Sequence, residues 1–128
     1  MKVVAHPRLK AGILFVIDNG NSVITTGVAG DIPDFPFDCT IQQCTMAAEQ
    51  TGSIVVDIWK DTYANFPPTD ADSITASAVP TISSSAKSQD TTLTGWTTSI
   101  SVGDTLRFNV DSCTDIKKVS IVLRIQKT

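Results

Sequence analysis

In the last quarter of the chain, TLRFNVDS (105–112) and KKVSIVLRIQK (117–127) set an apolar side chain at every second position. Successive side chains of an extended chain point to opposite faces, so a period of two commits both stretches to strands with one buried and one wet face. Leu106, Phe108 and Val110 are expected inward, with Thr105, Arg107, Asn109 and Asp111 outward. Val119, Ile121, Leu123 and Ile125 repeat the pattern against Ser120, Arg124 and Gln126, and the residues around Cys113 to Asp115 read as the link of a hairpin.

Further strands follow from the same rule. SIVVDIWK (53–60) turns Ile54, Val56 and Ile58 one way and Val55, Asp57 and Trp59 the other. Its second face is mixed and calls for a cover, which a neighbouring chain can supply. Between Phe37 and Ala48 the inward set changes parity: Phe37, Cys39 and Ile41 fit one phase, Cys44, Met46 and Ala48 the other. A slip of one residue near Gln42 and Gln43 is what a β-bulge produces, and bulges bend strands at sandwich corners. GILFVI (12–17) is a further strand, ended by DNGNS, whose Asn-Gly signals a tight turn before VITTGV (23–28).

From Asp61 to Thr92 no strand pattern is sustained, and a loop of that length implies short hidden elements. PPTDADSI offers Thr69, Asp70 and Asp72 as helix caps, VPTI a short edge strand and SSSAKSQD (83–90) an exposed, turn-rich stretch. The chain returns to the clean strand through a Gly103-Asp104 turn.

A chain of 128 residues fits one domain that removes roughly two-thirds of its unfolded surface from water. Serine and threonine abound, Glu49 is the only glutamate, and straight-chain helix formers are few. These features together predict an all-β fold, an antiparallel β-sandwich of jelly-roll type over residues 12–128, preceded by a short N-terminal arm at 1–11.

Ten basic against 13 acidic residues give a net charge of −3, without the basic stripe that phosphate binding demands. Nucleic acid is therefore not an expected partner. The opening MKVVAHPRLKAG is interrupted by His6, Pro7, Arg8 and Lys10, and ILFVI is too short to span a bilayer, so neither an export signal nor membrane insertion is expected. Cys39, Cys44 and Cys113 cannot all pair within one chain and match no zinc or CxxC spacing; buried thiols made in a reducing compartment are expected.

Few residues suggest catalysis. His6 is the sole histidine and sits in the arm, away from any partner a nucleophilic triad needs. Asp57 and Asp61 flank Trp59, and Asp70 and Asp72 share a loop; paired acids serve glycosidases, but turns and caps account for this spacing fully. TDADS (69–73) offers two carboxylates where calcium takes six to eight oxygens. No catalytic residue, metal or cofactor is expected. DIWKDTYANFPP (57–68) gathers Trp59, Tyr63 and Phe66, which with Trp96 make a candidate sugar-stacking platform, hydrogen bonds coming from Asp61, Thr62 or Asn65. The same rings are equally suited to the margin of a core, with polar tips in water.

The chain from GILFVIDNGNSVITTGVAGD to VSIVLRIQK, about residues 12 to 128, resembles a small module that recurs in structural proteins of tailed bacteriophages and prophages. VDIWKDTYANFPPT (56–69) and GDTLRFNVDS (103–112) are the most specific stretches. The resemblance implies a non-enzymatic β-sandwich in a tail fibre, collar or head-associated protein, assembled with other virion proteins in the host cytoplasm. The three cysteines depart from the small or apolar residues more usual there. By analogy with phage appendages a homo-oligomer, a trimer, is expected, anchored through Val3, Val4, His6, Pro7, Arg8 and Leu9 of the arm. Host surface glycan bound by the aromatic loop is the alternative role.

Overall fold

The computed structural model describes residues 9–128. Seven strands form one antiparallel sheet that curls into a half-barrel: β1 (Lys10–Asp18), β2 (Gly27–Ile32), β3 (Cys39–Thr62), β4 (Thr81–Asp90), β5 (Ser99–Ile100), β6 (Asp104–Thr114) and β7 (Lys118–Lys127). The all-β antiparallel class is as the alternation predicts. The described strands hydrogen-bond into one continuous sheet, where a jelly roll divides them between two. Because β1 already begins at Lys10, the last two residues assigned to the arm belong to the sheet. Val3, Val4, His6, Pro7 and Arg8 lie outside the described residues.

The 24-residue β3 organises the sheet. Its first half pairs with β7, from Cys39↔Lys127 to Ala48↔Val119, and its second half with β6, from Ser53↔Thr114 to Thr62↔Asp104. β6 and β7 therefore run end to end along one edge of β3, and the hairpin expected between them is replaced by a corner. At that corner the Gln50 carboxamide oxygen accepts the backbone N–H of Lys117 (2.7 Å) and of Lys118 (3.1 Å), two donors that the break between strands would leave unpaired. β1 and β2 flank β7 and β6 in the same sequence, joined by the loop through Asn19 and Gly20. Gly20 takes the left-handed φ of 65° that a tight turn requires. The segment after it pairs with β6 and not with β1.

Alternation fixes which face is buried. Leu106, Phe108, Val119, Leu123 and Ile125 are sealed from solvent with Ile54, Val56 and Ile58, and the Phe15 ring stacks on Phe108 with centroids 4.1 Å apart. The parity change in β3 is a register shift between Ile41 and Gln43 against β7, as the slip near Gln42 and Gln43 predicts. SSSAKSQD, expected as turns, belongs to β4; as an edge strand half in water it buries only Ile82 and carries no apolar alternation to reveal it.

All three cysteines are free, two of them buried and Cys113 half-buried. Burial, reinforced by the nearby Asp90 charge, pushes the Cys44 thiol up from 9.0 to about 12, and burial raises Cys39 and Cys113 in the same direction. The unfolded chain thus gives up its Cys44 proton near pH 9 and the folded chain only near 12. Stability is full below the unfolded value and falls as pH rises between the two, with Cys44 contributing a slope of up to about 1.4 kcal/mol per pH unit. Urea midpoints followed across that interval should decline less steeply for Cys44→Ala than for the parent chain.

Candidate functional site

The outer face at the far end of β3 carries a row built by register: Trp59 lies opposite Arg107 of β6, and Arg107 opposite Asp31 of β2. Arg107 donates from Nε to Asp31 Oδ1 at 2.7 Å and from Nη2 to Oδ2 at 3.0 Å, the two-pronged pairing that suits guanidinium to carboxylate. The hydrogen bond to Asp31 holds the Arg107 pKa above its ordinary value. The Phe66 ring covers the guanidinium, its centroid 5.2 Å from Cζ.

Beyond β3 the chain makes a single 3₁₀ turn at Tyr63–Asn65. Asp61 closes it, accepting the Thr62 N–H and the Asn65 carboxamide at one oxygen. The turn throws Tyr63 outward, 73 % exposed, with Phe66 at 47 %. Tyr63 and Phe66 are thus exposed rings of one turn, Phe66 lying over the half-buried Arg107–Asp31 pair, and they can stack against the apolar face of a flat or ring-shaped ligand.

The other two aromatic candidates serve the fold. Trp96 is only 9 % exposed, packs in the core and donates its indole N–H to the Ala78 carbonyl at 2.8 Å, so its place in the stacking platform is corrected. Trp59 is half-buried and donates its indole N–H to Asp57 at 3.1 Å. Asp57 is itself buried and accepts, besides Trp59, the Ile58 N–H (2.8 Å), the Ser73 hydroxyl (2.8 Å) and the Thr75 hydroxyl (2.7 Å). Its Oδ1 holds the 73–75 segment against β3 through the two hydroxyls, and Ile74 N–H also meets the Ile58 carbonyl at 2.9 Å. This segment lies beside the edge of β3, bridged at Trp59↔Ser73, and its hydroxyls enclose Asp57 on the mixed face.

Asp57→Ala would leave the Trp59 indole and two hydroxyls without an acceptor. A loss of about 2 kcal/mol is expected, read from thermal unfolding together with a shift in Trp59 emission.

The paired acids separate by role. Asp57 is enclosed and fully bonded, whereas Asp61 faces the turn. In the second pair, Asp72 accepts the Thr69 N–H at 2.8 Å, the capping geometry expected for PPTDADSI, now around a short 3₁₀ turn at Asp70–Asp72. No group of three or more His, Cys, Asp or Glu side chains placed to hold a metal occurs among the described residues. Leu9 is exposed, and its carbonyl accepts the Lys127 N–H. A separate open concavity of about 640 Å³ lies on the outer face around Lys10, Gln42, Gln43 and Arg124, and none of the aromatic candidates lines it. No helix of the described chain is long and apolar enough to cross a membrane.

Sequence reasoning missed Arg107, Asp31, Ser73 and Thr75. For the last two a signal was present, since Asp57 interrupts an otherwise apolar strand and a buried carboxylate needs donors. No protein-family model matches the chain, and neither a curated protein nor a solved structure matches it.

Proposed function

We propose that this chain is a non-enzymatic structural domain of a tailed-bacteriophage virion, a capsid decoration or fibre-like surface appendage, held to other virion proteins through the residues that precede β1. The reading rests on the resemblance of residues 56–69 and 103–112 to phage structural modules, stretches that pair with one another from Val56↔Val110 to Thr62↔Asp104. The observation that favours a scaffold over an enzyme is the commitment of Asp57, whose oxygens all serve the fold. The finer form we assign to the curled sheet is a jelly-roll-like sandwich, since its corner lays Phe15 of one half against Phe108 of the other.

Imaging of intact particles with a tag after Thr128 tests the location: labelled vertices, collar or fibres support the reading, and unlabelled particles from a tagged, expressed chain overturn it. Deleting residues 1–8, which leaves β1 whole, should lower incorporation into particles. Normal incorporation would remove the arm from the mechanism.

A second reading, binding of host surface glycan, is favoured by the exposure of Tyr63 and Phe66 beside the Arg107–Asp31 pair. Several copies on one particle would multiply a modest affinity per site. Tyr63→Ala and Phe66→Ala should each abolish glycan capture while leaving the melting temperature in place. Capture that survives both changes would discard the aromatic loop as the site.

A further inference from the structure

Among the described residues four strands have an open edge; β5 is only two residues long, and two of the others are spoiled for pairing. β2 carries a register shift between Val28 and Gly30 and a charged Asp31. β4 is irregular where it meets Gly52, and its Ser84 sits at a φ of 46°. Bulges and charges are the usual means by which an edge is kept from adding a strand. β1 has neither in its middle: it pairs with β7 from Lys10↔Gln126 to Asp18↔Lys118 without a shift, contains no proline, and bears charge only at its two ends.

The ladder also fixes which groups are free. Lys127 N–H donates to the Leu9 carbonyl and Asn19 N–H to the Lys117 carbonyl, so the odd residues of β1 face β7. In an antiparallel ladder the alternate residues then turn their N–H and C=O to the open side. These are Lys10, Gly12, Leu14, Val16 and Asp18, whose side chains lie on the solvent face, with Leu14 60 % and Val16 41 % exposed.

We infer that β1 is a homodimerisation strand, pairing antiparallel through this open edge with β1 of a second copy about a two-fold axis at Leu14. In that register Leu14 meets Leu14 of the second copy, Gly12 meets its Val16, and Lys10 meets its Asp18 at both ends. A parallel arrangement in register would instead set Lys10 against Lys10 and Asp18 against Asp18. A slip of two residues would part Lys10 from Asp18. Charge therefore selects one geometry, and the apolar centre supplies burial, with half-buried Val122 next to Leu14 on each side. The contact is isologous and closes at two copies, in place of the three expected by analogy. It stands independently of where the protein is mounted.

Light scattering on the full chain at micromolar concentration should give twice the chain mass. Leu14→Lys sets two ammonium groups face to face and should weaken the dimer about tenfold or more while leaving unfolding of the separated chain unchanged. Lys10→Asp should weaken it as well, and Lys10→Asp combined with Asp18→Lys should restore it, a rescue that a merely structural role for these residues would not produce. The amides of Gly12, Leu14 and Val16 should exchange with deuterium more slowly as concentration rises. A single-chain mass, a trimer indifferent to Leu14→Lys, or exchange at these amides that ignores concentration would overturn the inference.

Discussion

Phe108→Ala is expected to lower the unfolding free energy by about 3–5 kcal/mol, the range of large truncations in a closed core. Phe108 is fully buried in β6, and its ring lies nearly parallel to Phe15, the planes 8° apart. Phe15 is in turn close to the backbone of β2, since a Cβ on Gly30 would stand 2.9 Å from its ring. The two rings thus tie β1, β2 and β6 together across the inside of the curl. Truncation removes the transfer energy of one ring and leaves the other facing a void, because neither the Gly30 backbone nor the paired strands can close in to fill it. Urea denaturation gives the value directly. Phe108→Leu, which keeps most of the volume, should cost less than about 1.5 kcal/mol. A near-zero result for Phe108→Ala would mean that this face of β6 is not the interior.

That inward face was legible in the sequence because burial leaves a period of two wherever one side of a strand is dry. The bulge at Gln42 and Gln43 was legible for the same reason: a slipped residue inverts the phase, and Cys39 with Ile41 against Cys44 with Met46 records the inversion. Strand partners leave no such trace. β6 and β7 are near in sequence and both alternate, yet each pairs with β3, because a 24-residue strand can hold them one after the other along a single edge. β4 was invisible because its backbone pairing to β3, and not a set of buried side chains, holds it in place.

The candidate site divides along the same line. Tyr63 and Phe66 stood out as aromatics among turn formers, and both are exposed. The commitments of the two tryptophans were hidden, since each is decided by a partner elsewhere in the chain: Trp96 reaches back to Ala78, and Asp57, which receives Trp59, draws its hydroxyl donors from Ser73 and Thr75. Arg107 looked like one more outward side chain of an alternating strand. Its role follows only from the register that sets Asp31 beside it and Phe66 above it.

Gly52→Ala should be among the most damaging single changes in the chain, with a loss of about 3 kcal/mol and a matching fall in melting temperature. Gly52 lies where β3 turns the corner between its β7-paired and β6-paired halves. A Cβ there would stand 2.3 Å from the Thr114 carbonyl oxygen, with Ile116 Cγ1 at 3.0 Å and Asp115 Cβ at 3.1 Å. The nearest atom is backbone, so rotation of a side chain cannot relieve the clash. Thr114 is held by its pairing with Ser53, and Ile116 is fully buried behind it. Accepting the methyl group requires the β6–β7 corner to move off β3, which pulls Lys117 and Lys118 away from Gln50 and opens the core at Ile116. Thr51→Ala, one residue earlier at an exposed position, removes no such contact and should change the urea midpoint little. If the two variants unfold alike, the close approach at the corner does not hold the curl, and the sheet must be fastened elsewhere.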